Sequence, residues 1–253
     1  MTTQLTKQHD LGRSPSSDVA RRLLVVWRNP STRRFATVAR LDQLEDGRFA
    51  FSYSDSAESE EGFFPLDEYP DVRATYVSET LPVFFANRVM SVDRASYKEY
   101  LGRLGLSSLS SAEVPMEVLV RTGGGRATDT FHIVEAPVDE ADRFESRFFV
   151  SGIGHLAGAS DRVRRLRAGV SLQLRAEPTN DMNPRAVLID VEAEEPIGWV
   201  PDWLCDQVSS LMDEGFELRA SVEQINVEAP LRLQVLCRIE AVRTKSNSAT
   251  QTL

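Results

Sequence analysis

Four arginines, Arg162, Arg164, Arg165 and Arg167, fall within six residues and are opposed locally only by Asp161. Guanidinium groups present paired N–H donors that match phosphate or carboxylate, so such a run is either a phosphate-facing edge or a solvated helix face paired with nearby acids. A short way on, residues 177–186 read Glu-Pro-Thr-Asn-Asp-Met-Asn-Pro-Arg-Ala. In that polar turn Asn180, Asn183 and Arg185 supply hydrogen-bonding groups and Met182 a polarisable apolar one. His155 and Trp203 add flat groups on which a base can stack. Trp203 falls on a first helical turn and is the ring expected at the surface, whereas Trp199 lies in a strand pattern and is expected in the core. Cations for phosphates and planar groups for bases are the chemistry of polynucleotide binding.

Enzyme chemistry finds little support. The three histidines are His9, His132 and His155, and neither Cys205 nor Cys237 has a histidine nearby in sequence. No GxSxG, HExxH or Walker pattern occurs. The glycine triplet at 123–125 lacks the Lys-Ser/Thr that a phosphate loop requires and leads back into a β pattern. The carboxylate pairs Glu194-Glu195 and Asp213-Glu214 read as solvated turn and helix-end charges. Two cysteines make no disulfide framework and have no CxxC metal spacing, so both read as small buried hydrophobes. The chain is therefore expected not to be an enzyme and to need no metal or cofactor.

With 253 residues, 42% of them hydrophobic, the chain is long enough for one or two domains. No apolar run approaches membrane-spanning length and no signal-peptide pattern opens the sequence, which points to the cytoplasm and away from any membrane. The net charge of −9 weakens a purely electrostatic case for nucleic acid. Distribution matters more than the sum, because only Lys7, Lys98 and Lys245 among the 29 basic residues are lysines.

The elements that must position these groups follow from periodicity. Residues 1–20 read as a flexible leader and 244–253 as a flexible tail. Strand patterns occupy 23–27, 34–41 and 48–53, the last with Phe49, Phe51 and Tyr53 on one face, which together make an antiparallel meander. A helical turn is expected at 81–89 and a helix at 94–102. Residues 107–112 form a serine-rich joint, and 107–145 are expected to be a linker carrying a β-hairpin with strands at 116–121 and 130–134. Beyond an acidic stretch at 137–145, strands are expected from 148, at 169–175, 186–191, 196–200, 216–225 and 231–242. Helices fall at 161–166 and after Pro201, where Gly215 stops the second. The fold class is α+β and mostly β.

The runs Phe149-Val150-Ser151-Gly152, Leu172-Gln173-Leu174-Arg175, the turn at 177–186 and Ile197-Gly198-Trp199-Val200-Pro201 resemble a HIRAN domain, over residues 146–243 of this chain. The resemblance implies an OB-like β-barrel with one main helix that binds nucleic acid without catalysis, with single-stranded DNA or DNA ends as partner. It places His155, the arginines at 162–167, Asn180, Met182, Asn183, Arg185 and Trp203 at the interface. Where the family pattern has two tyrosines, this chain has His155 and Leu156. Where it has Asn-Pro-Tyr-Asp, this chain has Asn180-Asp181-Met182-Asn183, so a ring becomes a thioether and a carboxylate an amide. A second resemblance joins Val25-Val26-Trp27, Val38-Ala39-Arg40-Leu41, Phe49 to Tyr53 and the run from Thr80 to Asn87. It is similar to the N-terminal subdomain of HipA-type toxin kinases, and implies a module over residues 21–106 that engages a protein partner. The alternative function is accordingly an adaptor or regulator of a toxin-antitoxin or defence-type system, with a HIRAN barrel that does not bind DNA.

Overall fold

A computed structural model describes residues 6–8, 19–126, 129–140 and 143–243, and the chain divides into two compact units, residues 1–136 and 137–253. The first unit holds strands β1 (Thr6–Gln8), β2 (Val19–Arg28), β3 (Phe35–Leu44), β4 (Phe49–Tyr53), β5 (Thr75–Ser78) and β6 (Phe131–Glu135). All pair antiparallel, in the order β1-β5-β4-β3-β2-β6. The expected meander is β2 to β4, and Phe49, Phe51 and Tyr53 are buried together as their alternation requires. The core also takes in Leu23, Val25, Trp27, Leu41, Tyr69 and Phe85. Residues 6–8 and 19–20, expected within a flexible leader, are strand: the first pair with β5 as β1 and the second open β2; residues 1–5 and 9–18 of that leader and the tail at 244–253 lie outside the described residues.

Two expectations fail between residues 107 and 145. Residues 116–121 form no strand but belong to helix α3 (Val114–Thr122), the third helix after α1 (Val83–Ala86) and α2 (Tyr97–Arg103). The β-branched Val118 and Val120 favour a strand, yet Pro115 sits at the first helical turn, Gly123 closes the helix in the left-handed conformation, and Glu117 and Arg121 pair one turn apart at 2.7 Å. Met116, Val118 and Leu119 are fully buried, and burial on this scale overrides strand propensity. With a helix in place of its first strand the hairpin cannot form, and β6 pairs with β2 instead. The serine-rich joint at 107–112 lies inside the first unit, between α2 and α3. Within the acidic stretch at 137–145, β7 (Val138–Glu140) pairs antiparallel with β8 (Arg143–Phe149).

The second unit adds α4 (Ala159–Arg165), β9 (Ser171–Ala176), β10 (Val187–Asp190), β11 (Pro196–Trp199), α5 (Asp202–Asp213), β12 (Phe216–Ile225) and β13 (Val235–Arg243). Its sheet is antiparallel with order β11-β10-β9-β12-β13-β8-β7. In place of the expected barrel, the described residues form a sheet with two edge strands, β11 and β7, and β11 meets the chain just after β8. Ser151 and Trp199 exchange two backbone hydrogen bonds of 2.9 Å there, an isolated bridge and no full strand pairing. Phe144, Phe148, Val150, Val163, Ile189, Ile197, Val208, Val235 and Ile239 fill the interior. No described helix is long and apolar enough to cross a membrane.

One interior group is out of keeping with that core. Ser146 lies between Phe144 and Phe148 on the inward face of β8, opposite Ile239, with 3% of its surface exposed and no hydrogen-bond partner for its Oγ among the described residues. A desolvated hydroxyl without a partner costs about 1–3 kcal/mol. Ser146→Ala is expected to stabilise the second unit by roughly 1 kcal/mol in urea unfolding; a loss of stability would show that the hydroxyl is bonded.

Candidate nucleic-acid interface

The candidate site lies where β11, the 3-10 turn Ile153–His155 and α4 pack on one another. Trp199 is half-buried here and not in the core, contrary to expectation. The cause is a β-bulge. Asp190 pairs with Pro196 and Ile189 with Gly198, which leaves Ile197 as the extra residue. Strand parity therefore flips, so that Ile197 and Val200 enter the core and Trp199 between them does not. The indole lies against Gly152, whose backbone is left-handed at φ 72°, and a Cβ added there would sit 2.5 Å from the ring. Only glycine allows this close approach.

Trp199 is tied to the polar turn through one carboxylate. Its Nε1–H donates to Glu177 Oε2 at 2.7 Å, and the same oxygen accepts from Asn180 Nδ2 at 2.6 Å. Asn180 Oδ1 in turn accepts the backbone N–H groups of Met182 at 3.0 Å and Asn183 at 3.2 Å. Asn183 donates from Nδ2 to Asp202 Oδ1 at 2.9 Å and accepts the Arg185 N–H at 2.9 Å. The turn is thus shaped by side-chain amides that mimic backbone turns. Met182 is left at its tip, 81% exposed.

The expected arginine array is only partly free. Arg162 donates to the carbonyls of Pro196 at 2.9 Å and Ala157 at 2.8 Å, which fastens α4 to β11. Arg164 pairs with Asp161. Arg167 is exposed and donates to the carbonyl of Leu166 at 2.8 Å, and the exposed Arg165 side chain has no partner among the described residues. Arg185 turns toward α5, bonding Ser210 Oγ at 2.9 Å with Asp206 and Asp213 each 3.6 Å away. Hence Arg162, Arg165 and Arg167 carry charge that no carboxylate balances among the described residues, while Arg164 and Arg185 are compensated.

His155 is exposed at the end of its turn. Trp203 is half-buried and packs against the second core, so it is not the exposed platform the sequence suggested. Sequence reasoning missed Trp199, Glu177 and Asp202 as parts of this site. Glu177 and Trp199 stood within the runs that carry the family resemblance, and the residue-type signal of the bulge that turns the indole outward is Gly198, a glycine inside a strand pattern.

Neither cysteine is poised for chemistry. Burial pushes the Cys205 thiol up to about 11 and raises Cys237, fully enclosed in β13, further still. Among the described residues no group of three or more His, Cys, Asp or Glu side chains is placed to hold a metal ion.

The family model for the HIRAN domain matches residues 144–242, confirming that domain in the second unit. Residues 21–106 lie outside the match. No curated protein matches the sequence. Among solved structures, a protein from Lactobacillus plantarum is similar at 16% identity, covering 43% of this chain and 96% of its own, with a TM-score of 0.35. The HIRAN domain of human HLTF is similar at 12% identity, covering 41% of this chain and 81% of its own, with a TM-score of 0.32.

Proposed function

We propose that the HIRAN domain at residues 144–242 binds single-stranded DNA or DNA ends, and that the protein acts by binding alone. The observation that carries this reading is the half-buried Trp199 indole, left outside the core cluster that takes in Trp203 and held within the family-matched region by Gly152 and Glu177, with the exposed His155 on the turn that follows Gly152. A base stacks on the indole and the imidazole borders it. Arg165 and Arg167 meet the backbone phosphates, with Arg162 contributing charge from its seat against β11. The amide that stands at position 183 is backed by Asp202, which supplies a carboxylate to a terminal hydroxyl at the same place.

This balance of forces has a measurable signature. Single strands release counterions with a slope of about −0.7 per neutralised phosphate in log K against log salt, so the three uncompensated guanidiniums give a slope of about −2. Anisotropy titration of a labelled oligonucleotide over a range of salt concentrations checks it. Absence of binding at low salt removes the reading, and a slope of about −5 or steeper would assign the affinity to other cations. Blocking the 3′ end of the oligonucleotide distinguishes end capture from binding along the strand. Recovery of intact oligonucleotide after incubation with divalent metal tests the non-catalytic part.

A further inference from the structure

In the first unit, Phe64 is 80% exposed, although the residues on both sides of it are fixed. Asn29, itself 7% exposed, donates from Nδ2 to the Glu61 carbonyl at 2.9 Å. The Phe63 ring turns inward and meets Trp27, Tyr53 and Phe131 edge-on, with centroids 5.6, 6.1 and 6.5 Å away. Past Phe64, the Leu66 N–H donates to the Tyr53 hydroxyl at 2.8 Å, and that hydroxyl donates to the Tyr69 carbonyl at 2.9 Å. Single exposed apolar residues are ordinary on protein surfaces. Phe64 differs in that the loop holding it outward is braced by three separate contacts, so the ring cannot fold back without breaking them.

Its surroundings select the occupant. Glu60, Glu61, Asp67 and Glu68 flank the ring in sequence and have no ion-pair partner among the described residues, whereas the neighbouring Glu58 pairs with Arg73 at 3.0 Å. An aromatic ring can stack on a base or dip into a bilayer, but nucleic acid and anionic lipid surfaces are both repelled by four carboxylates borne on the same loop. A protein pocket lined by apolar groups and edged by Lys or Arg is complementary in shape and charge. We propose that Phe64 is a docking knob which enters such a pocket on a basic partner protein, with the four carboxylates pairing against its rim. Because the loop is already ordered, little conformational freedom is lost on association.

The test uses the full chain with a photoactivatable phenylalanine analogue at position 64, irradiated in its own host cells, followed by mapping of the crosslinked peptide. The partner so identified is then purified and titrated against wild type, Phe64→Ala, Phe64→Leu and a variant with Glu60, Glu61, Asp67 and Glu68 changed to their amides. Expected are a crosslink into an apolar pocket bordered by Lys or Arg and a loss of about thirtyfold in affinity for Phe64→Ala. Partial retention in Phe64→Leu and a flattened salt dependence in the amide variant complete the pattern, with thermal unfolding and oligonucleotide binding unchanged throughout. A crosslink to a second copy of this chain, to nucleic acid or to lipid overturns the proposal, as does failure to capture any protein or equal affinity for wild type and Phe64→Ala.

Discussion

Trp199→Ala is expected to weaken binding of single-stranded DNA by roughly thirtyfold, about 2 kcal/mol, within the range for removing one base-stacking ring. The bulge at Ile197 excludes this indole from the core, so its removal leaves the apolar interior intact and the loss falls on binding. Trp199→Phe separates stacking from hydrogen bonding. It keeps a flat ring on Gly152 but gives up the donor to Glu177, and it should recover most of the affinity if stacking is the larger contribution. Equal affinity of wild type and Trp199→Ala in the anisotropy titration would remove this ring from the interface and the main support for the functional reading with it.

The second large effect is on stability. A Cβ added at Gly198 would lie 2.3 Å from the Ser151 carbonyl oxygen and 2.4 Å from Val150 Cγ1, one a backbone atom and the other part of a side chain anchored in the core. Neither yields as the tip of a flexible side chain would. Gly198→Ala should therefore force β11 away from Ser151, break the two hydrogen bonds of the Ser151–Trp199 bridge, and lower the stability of the second unit by about 3 kcal/mol, the upper part of the range for overpacking. Urea unfolding reads the change directly. A variant within about 0.5 kcal/mol of wild type would show that the seam between β11 and Ser151 yields at almost no cost.

The meander of the first unit and most elements of the second were legible in residue types, because alternation such as Phe49, Phe51, Tyr53 and the stop at Gly215 are local signals. The failures are of two physical kinds. At 116–121 two buried valines favoured a strand, while the deciding information was long-range, namely an apolar helix face that needed the sheet beneath it. At Trp199 the element was right and its facing was wrong, since a single unpaired residue in β11 reverses which side chains point inward. The arginine stretch shows a third limit. Its composition promised a phosphate edge, but Arg162 serves to fix α4 to β11 and Arg164 is neutralised one turn away by Asp161, a division of labour set by carbonyls and carboxylates that only the folded chain brings into reach. The turn at 177–186 was identified from its amides, yet its governing partner, Asp202, stands on the following helix.

The two cysteines have a practical consequence. Both are enclosed, and both are held in the protonated form far above neutral pH, so maleimide chemistry at neutral pH leaves the wild-type chain unlabelled. A pair of cysteines placed on exposed positions of one unit become the only thiols that react with a fluorophore or spin label, and the distance between them can be followed in solution without first stripping native thiols from the chain.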